Sequence, residues 1–496
     1  MNGRAGIGLL GAVSGPDLAI ASLAVALLPV ISWAMGRKET TTEGFFLGSR
    51  KIPGWAAGLS LVAAEGSALT IVGVPAAAYS ENWHYLQFFF GSAAARIVVA
   101  FLFIPVFYQY QCTSIYEYLR HRFGPQTQYT GSIFFFITRL IASGVRLYAA
   151  CMGVALILGW TLGQAVLLFT IVSILFIAIG GIKAVVWAGA YQAAIFFAAG
   201  AILLAYLIGQ IEGPLSEALQ TAAQAGRLSI FDFRLNLNEP TTFWAGTANA
   251  FFIGLAVFGA DQEMVQRLLT VKTRRQSQNT IFMSIAAGLP VLMLYLAIGT
   301  GLYLFYRQHP EIAAPQKAKE VLSFFITHTL PVGLRGLLLS AIILAGIDSP
   351  LSSLTSSFVS DIYRPLLRPN ASQRHYLMVS RIGVVGFGLI LALIALGCAP
   401  VENILWFAFE IFSITGGAAL GVFLLGTLTR TAANKENVIA MILSAGAMTV
   451  LFLLKKFGQI GLAWSWLIVL GTFTTMAVSF LLAHTIGSLS NIFSQK

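Results

Sequence analysis

The sequence predicts an all-α integral membrane protein with about thirteen membrane-spanning helices. Two observations predict this class. First, 57% of the 496 residues are apolar and only 10% are charged, whereas a soluble chain carries roughly 25% charged residues. Second, the mean hydropathy is +0.81, and apolar runs of about 20 residues, long enough to cross a bilayer, recur along the chain. So few charged residues cannot cover a water-exposed surface of this size.

The apolar runs and the turn residues between them predict the individual crossings. The first run is predicted to be a retained helix rather than a signal peptide, because it lacks an A-x-A-like cleavage site and ends in the basic GRK. The approximate spans are 17–36, 54–79, 84–108, 129–159, 162–180, 184–210, 241–263, 276–306, 333–364, 376–397, 402–426, 434–453 and 461–483.

The net charge of +11 reflects membrane orientation rather than nucleic-acid binding. Basic residues cluster in the short connections 36–51, 118–124 and 266–275, and such clusters mark cytoplasmic loops. The two longest loops, 211–240 and 307–332, are not notably basic. The N-terminus is therefore predicted outside and the C-terminus in the cytoplasm of the cell inner or plasma membrane.

The remaining composition excludes several other classes of function. The cysteines are three and scattered, and the six histidines are isolated, so neither a disulfide framework nor a metal cluster is predicted. No nucleophile–base arrangement is visible either, so an enzyme is not predicted.

Two of the predicted spans contain unusual numbers of helix-breaking residues. The 54–79 span holds Gly58, Gly66, Gly73 and Pro75, and the 241–263 span holds Gly246, Gly254 and Gly259. Interrupted helices at matching positions of two halves are typical of transporters built from inverted repeats. The predicted units are an N-terminal peripheral helix and loop (1–53), a first repeat (54–210), an external loop (211–240), a second repeat (241–426) and C-terminal peripheral helices (427–496).

Four motifs resemble those of the sodium:solute symporter family. They are FFLGSRKIPGWAAGLS (45–60), TSIYEYLRHRFG (113–124), DQEMVQRLLTVKT (261–273) and SSFVSDIYRPL (356–366), and their order and spacing agree over roughly 17–430. The resemblance implies a LeuT-type fold of ten core helices in two inverted five-helix repeats, with broken first and sixth core helices. It also implies import of a small organic solute by alternating access, driven by a sodium gradient.

The resemblance implies a sodium site that this sequence does not fully reproduce. The implied carbonyl ligands come from Ala63, Gly66 and Ile342, but the two implied hydroxyl positions are occupied by Ala345 and Gly346. A hard cation needs about six oxygen ligands, so the standard site is incomplete. A second sodium site of some members aligns with Asp348 and Ser349, and its aspartate with Gly189.

Three carboxylates lie inside predicted spans: Glu65, Asp348 and Glu410. A charge at the middle of the bilayer costs at least ~2.5–3.5 kcal/mol, so each needs a partner, an ion or a proton. Glu65 and Asp348 are predicted to approach each other and to rebuild a cation site, or one of them carries a proton. The alternative is a fixed ion pair between Glu65 and Arg146.

Two further groups of polar residues have simpler interpretations. Glu410 is expected to lie on a solvated face or to pair laterally. Ser349, Ser353, Ser356 and Ser360 lie on one helix face, which favours close helix packing over a water-lined path.

The predicted solute site uses the helices that the resemblance places around the middle of the membrane. An arginine in the cavity would favour a solute with a carboxylate. The partners are then the solute, a coupling Na⁺ or H⁺ and the lipid bilayer, with no nucleic acid and no cofactor other than sodium. A proton-coupled or uncoupled carrier and a transporter-derived sensor remain alternatives. The candidate solute-binding residues are Ser67, Thr70, Tyr85, Gln87 and Arg146.

Overall fold

A computed structural model describes residues 13–494, apart from 38, 67, 237, 313, 348–349 and 399–403. The regular structure in these residues is helical. The helices are α1 (Gly15–Gly36), α2 (Thr42–Leu47), α3 (Gly54–Glu65), α4 (Ala68–Ser80), α5 (Tyr85–Gln109), α6 (Ile115–Arg122), α7 (Pro125–Leu158), α8 (Leu162–Gly209), α9 (Leu215–Gln224), α10 (Phe243–Gly259), α11 (Gln262–Leu268), α12 (Arg274–Gln308), α13 (Val321–His328), α14 (Leu334–Gly346), α15 (Pro350–Ser357), α16 (Gln373–Gly397), α17 (Ile404–Leu428), α18 (Lys435–Lys456) and α19 (Trp466–Ser494), with a π-helical turn at Phe358–Leu367 after α15.

The number of crossings agrees with the sequence-based prediction. Among the described residues, ten helical segments are long and apolar enough to span a membrane, and the bent pairs α3–α4 and α10–α11 add two more. Helix α8 has 48 residues and is interrupted at Gly181, where φ is 54° and ψ is −142°. At 1.5 Å per residue, the summed length of its two halves is about 72 Å, more than twice the thickness of the bilayer core. Counting its halves separately gives thirteen spans.

The core helices form two series with the same order. The first contains α3–α4, α5, α7 and the two halves of α8. The second contains α10–α11, α12, α14–α15, α16 and α17. Each series opens with a bent pair, at 57° for α3–α4 and 62° for α10–α11. This confirms the predicted five-plus-five arrangement with broken first and sixth core helices.

Helices α5 and α10 approach each other closely through small residues. A Cβ atom added to Gly91 would lie 2.2 Å from the Thr247 carbonyl oxygen, and one added to Gly254 would lie 2.7 Å from the Ala95 Cβ. Membrane helices associate through such contacts because lipid supplies no hydrophobic drive between them. The contact brings α5 of the first series against the opening helix of the second.

Helix α1 lies outside both series and joins them. The fully buried Asp17 carboxylate accepts hydrogen bonds from the backbone N–H groups of Gly333, at 2.7 Å, and Gly336, at 3.0 Å. These are free donors at the start of α14. At its other end, α1 meets α8 so closely that a Cβ atom on Gly36 would lie 2.1 Å from the Gly180 Cα.

The basic connections identified in the sequence lie at one end of the molecule, which we call the basic end. The Arg50 Nη2 donates to the Cys112 carbonyl at 3.2 Å. The Ile52 N–H donates to the Thr270 carbonyl at 3.2 Å, and the Tyr108 hydroxyl donates to the Leu268 carbonyl at 3.1 Å. The connections from α1 to α3, from α5 to α6 and from α11 to α12 therefore form one surface.

Candidate functional site

The break between α3 and α4 exposes backbone at a membrane-spanning position. Helix α3 ends at Gly66, whose φ of −73° and ψ of 78° leave the helical region. A Cβ atom there would approach the Val62 carbonyl to 3.2 Å and the Phe196 ring to 3.6 Å, so a glycine suits the position. The Thr70 hydroxyl donates to the Glu65 carbonyl at 3.3 Å across the break. Thr70 thus satisfies one of the free carbonyls at the helix end.

The Glu65 side chain forms an ion pair with Arg96 of α5. The Arg96 side chain is 2% exposed, whereas that of Glu65 is 29% exposed. The Arg96 guanidinium also donates to the Ser92 hydroxyl at 3.0 Å and the Ser284 hydroxyl at 3.3 Å. It stacks 4.5 Å from the centre of the Phe258 ring, a favourable cation–π contact. The buried guanidinium thus compensates a carboxylate that is partly open at the break.

The Glu65–Arg96 pair differs from the ion pair with Arg146 that was one of the alternatives for Glu65. Arg146 of α7 instead donates to the Ala64 carbonyl at 3.2 Å, so it reaches the break without holding the Glu65 carboxylate in a fixed strut. The role of Arg146 in solute binding stays a prediction. Asp348, the other predicted member of a rebuilt cation site, lies outside the described residues, as does Ser349.

The other candidate solute-binding residues divide between two environments. Tyr85 is 44% exposed and stacks on Phe88 with 5.7 Å between ring centres, near the start of α5. Gln87 is fully buried, where its amide donates to the Thr241 carbonyl at 3.1 Å and accepts from the Asp232 N–H at 3.1 Å. Gln87 therefore fastens the long loop before α10, and its role in solute binding stays a prediction. Ser67 lies outside the described residues.

A glutamine covers the end of α14, where the sodium site of the family resemblance was expected. The Gln192 amide nitrogen of α8 donates to the Leu344 carbonyl at 3.0 Å and to the Ile347 carbonyl at 3.2 Å. Its neighbour one turn along, Phe196, faces Gly66. The Gln192 amide therefore hydrogen-bonds to carbonyl oxygens at the end of α14, beside the gap between α3 and α14. Ile342 is itself buried in the apolar core.

Packing explains why two ligands of the resemblance are absent. A Cβ atom on Gly346 would lie 2.5 Å from both the Ala150 Cβ and the Phe169 ring, so this structure has no room there for a hydroxyl side chain. A Cβ atom on Gly189 would lie 2.4 Å from the Ser60 hydroxyl and 2.9 Å from the Ser60 Cα. An aspartate at 189 is excluded in the same way.

The remaining polar residues of the sequence analysis have structural partners. Glu410 pairs laterally with Lys455 of α18 at 3.2 Å, one of the two expected interpretations. Ser353 donates to the Pro350 carbonyl at 2.9 Å, and Ser356 accepts from the Gln262 amide at 3.3 Å. These serines pack against neighbouring backbone and α11, which agrees with the packing interpretation.

A cluster of four buried charges closes the molecule towards the basic end. Arg139 of α7 pairs with Asp261 and with Glu263, on either side of the start of α11. The Arg267 guanidinium lies 3.6 Å from the Glu263 carboxylate and donates to the Ser60 hydroxyl at 3.2 Å. Each of these four side chains is 6% exposed or less. The cluster ties α3, α7 and α11 together.

A third buried carboxylate, that of Asp361, lies beside this cluster. Asp361 accepts from the Ser114 hydroxyl at 2.7 Å, the Ser357 hydroxyl at 2.6 Å and the Gln128 amide at 2.9 Å. These donors come from the α6 cap, α15 and α7. Next to it, Gln262 donates to the Thr113 carbonyl and accepts from the Ile115 N–H, each at 3.0 Å. The segment 112–115 is therefore fastened to α11.

Lowering the pH from about 7 towards about 4.5 is expected to stabilise the protein through Glu117 of α6. Burial, and then repulsion by Asp361, raise the pKa of this carboxyl to about 7 against partial compensation by Arg364. The folded state therefore binds the proton more tightly than the unfolded chain. The stabilisation is fully present below the pKa that this carboxyl has in the unfolded chain, and it is lost as the pH rises through 7. The change in the free energy of unfolding is at most about 3 kcal/mol. Melting curves at pH 5 and pH 8 measure the change.

Glu117→Gln should melt like the wild type at pH 5 and at a higher temperature than the wild type at pH 8. Its amide oxygen can still accept the Thr113 N–H, which lies 2.8 Å from the carboxylate. Glu436→Gln is the matched control, because Glu436 caps the Asn434 N–H in the same way at 2.9 Å. Equal pH dependence in all three proteins would contradict the role of Glu117.

Sequence reasoning therefore recognised the break but missed part of the charge network. Arg96 carried a visible signal, since it is an arginine inside a predicted span. Asp261, Glu263 and Asp361 lie within motifs of the family resemblance, which gave no indication of their partners. Gln192 has no charge and no motif to mark it.

Comparison with known proteins places this geometry in a defined group. A model of the sodium:solute symporter family matches residues 45–446. The sodium/sialic acid symporter SiaT of Proteus mirabilis is 26% identical over 437 residues, covering 85% of this chain and 86% of that protein. The sodium-coupled monocarboxylate transporter 1 of Xenopus laevis is 28% identical over 405 residues, covering 79% of this chain and 64% of that protein.

The fold agrees with that of a solved structure. A substrate-bound, outward-open Na⁺-coupled sialic acid symporter aligns with a TM-score of 0.86 at 24% sequence identity. The alignment covers 95% of this chain and 98% of the other.

Proposed function

The chain belongs to the sodium:solute symporter family, and from this premise we propose that it imports a small organic acid driven by a sodium gradient. Family membership makes the chain a multi-pass membrane transporter rather than an enzyme. Two similar proteins are named for sialic acid and for monocarboxylates, and both kinds of solute carry a carboxylate. The proposal extends that chemical class to this chain.

The observation that carries the proposal is the charge gathered at the α3–α4 break. Arg96 forms an ion pair with Glu65, and Arg146 donates to the Ala64 carbonyl. Ionisable groups inside a membrane protein mark solute and ion pathways, and interrupted helices form the solute site of such transporters. Arginine matches the planar geometry of a carboxylate. We assign the solute carboxylate to the Arg146 side of the break.

The second step of the proposal is alternating access around this break. Basic loops are retained on the cytoplasmic side, so we place the basic end in the cytoplasm and the N-terminus outside. The Arg139 cluster then closes the cytoplasmic path. Opening that path requires α11 to separate from α7, and therefore requires the Arg139 ion pairs to break.

Proton coupling is the rival proposal, and Glu65 is its natural carrier. The ion pair with Arg96 disfavours it, because protonation of Glu65 would leave a 2% exposed guanidinium without its carboxylate. Breaking a buried pair in this way is costly. Sodium coupling needs no such step.

Uptake into proteoliposomes tests the proposal. We expect an inward sodium gradient to drive accumulation of a labelled solute from a panel of sialic acid, short monocarboxylates and iodide, with an organic acid transported best. Choline in place of sodium should abolish accumulation. Accumulation driven by a proton gradient in choline, or preference for iodide, would contradict the proposal.

Arg146→Met is expected to lower uptake of the organic acid by about ten- to hundredfold, because a charge-assisted hydrogen bond is worth about that ratio. Arg381→Met is the matched control: Arg381 is an exposed arginine of α16 away from the break. Equal uptake by both variants would remove Arg146 from the solute site.

A further inference from the structure

A small cavity lies on the side of α14 away from α3. Its described lining comes from α7, α8, the end of α14, the start of α15 and α16, and its volume is about 30 Å³. A volume of about 10–15 Å³ on this measure holds one water. The cavity therefore accommodates one small ion with one water. The lining residues that the structure describes carry no charged side chain.

Three hydroxyl side chains line this cavity: Ser143 of α7, and Thr170 and Ser173 of α8. Ser143 is 3% exposed and Thr170 is 7% exposed. Within the described part of the chain, neither hydroxyl oxygen has a hydrogen-bond partner. Buried polar groups without partners are rare in folded proteins, and a bound water or ion is one way to satisfy them.

The C-terminal end of α14 borders the same cavity. Gly346, the last residue of α14, lines the cavity together with Pro350. In a continuous helix the residue four positions on would donate to the Gly346 carbonyl, but Pro350 has no N–H group. The end of a helix also concentrates partial negative charge. The carbonyl end of α14 is therefore electrostatically suited to a cation.

The other face of the α14 end is already occupied. The Gln192 amide donates to the Leu344 and Ile347 carbonyls, and Gly189 packs against Ser60 without space for a side chain. A cation at the α14 break meets a hydrogen-bond donor on that side. On the cavity side it meets hydroxyl oxygens without partners.

We propose that Na⁺ binds in this cavity, held by the hydroxyls of Ser143, Thr170 and Ser173, the carbonyl end of α14 and a water. Hard cations take oxygen ligands of this kind, and half-helix ends coordinate Na⁺ in transporters. The inference rests on the proposed sodium-coupled function. It gives the coupling ion a site in a chain whose standard sodium site lacks the hydroxyls at positions 345 and 346. The ion sits behind the break rather than in the gap between α3 and α14.

Equilibrium binding of ²²Na⁺ to the purified full-length protein tests this site. We expect Ser143→Ala and Thr170→Val each to weaken sodium binding by about ten- to hundredfold, the ratio for one lost charge-assisted contact. Thr170→Ser keeps a hydroxyl and should bind with near wild-type affinity. Ser380→Ala and Thr475→Val are the controls, since both hydroxyls are fully buried but bond the backbone of their own helices at 2.7 and 2.9 Å.

The outcomes separate this inference from the proposed function. Sodium binding that is unchanged in Ser143→Ala and Thr170→Val, with correctly folded protein, would overturn the cavity site and leave sodium-driven transport standing. Stability changes without any change in sodium affinity would assign the cavity to water alone and also overturn it. A wild-type protein that binds no sodium would overturn both.

Discussion

Replacing Arg96 with leucine is expected to lower the free energy of unfolding by about 3–5 kcal/mol, because the change leaves the Glu65 carboxylate inside the membrane without its cation. The Arg96 side chain is 2% exposed and also donates to Ser92 and Ser284. No second arginine is bonded to the Glu65 carboxylate among the described residues. Chemical unfolding in detergent micelles, followed by tryptophan fluorescence, measures the loss.

The Glu65→Gln change provides the second arm of this experiment. In the double variant the carboxylate is neutral, so Arg96→Leu should cost less there than in the wild type. The difference is the coupling energy of the pair. Arg381→Leu is the control: an exposed arginine in a membrane helix should change stability by no more than about 0.5 kcal/mol. Additive effects of the two changes would show that Glu65 and Arg96 do not depend on each other.

Replacing Arg139 with methionine is expected to expose the Cys112 thiol at the basic end. Arg139 neutralises Asp261 and Glu263, which flank Gln262 at the start of α11. Without the guanidinium the two carboxylates repel each other, and α11 loses its link to α7. Gln262 holds the segment 113–115 against α11, so that segment should loosen with it.

The rate of maleimide labelling reports this opening. Cys112 is fully buried, and burial, with the Glu117 carboxylate nearby, raises the pKa of its thiol, so the closed protein should react slowly. A shift of about 1.4 kcal/mol in the opening equilibrium increases labelling about tenfold. The background should lack the other two cysteines, Cys151 and Cys398.

Two further variants make the labelling experiment specific. Arg139→Lys keeps the positive charge and should label at an intermediate rate. Arg122→Met removes an arginine at the same end that bonds only backbone carbonyls, those of Gly426 and Thr429, and should leave labelling unchanged. Slow labelling of Arg139→Met would contradict the assignment of this cluster as the closed path.

The comparison of sequence with structure shows which information a single chain contains. Hydropathy and glycine content predicted the spans and both breaks, because lipid imposes a length on each helix. The same reasoning identified Glu65, since a carboxylate in an apolar run is conspicuous. The partner of Glu65 could not be derived, because helical spacing gives the face of an arginine but not the rotation of α5 or α7 against α3.

The less visible parts of the site depend on contacts between distant segments. Gln192 is an ordinary polar residue until the end of α14 lies beside it. The cavity hydroxyls of Ser143 and Thr170 come from helices that meet only in the folded protein. The missing hydroxyls at Ala345 and Gly346 were visible in the sequence, but the packing of Gly346 against Ala150 and Phe169 was not.

The bond between α1 and α14 has a consequence for biogenesis. The hydrogen-bond partners of Asp17, Gly333 and Gly336, lie 316 and 319 residues after it in the chain. During synthesis α1 enters the membrane before α14, so the Asp17 carboxylate lacks these two donors until α14 is inserted. The hydrogen bonds of Asp17 in α1 thus form only after α14 has been inserted. Docking of Asp17 is therefore a late step, which requires that the second series of helices has reached α14.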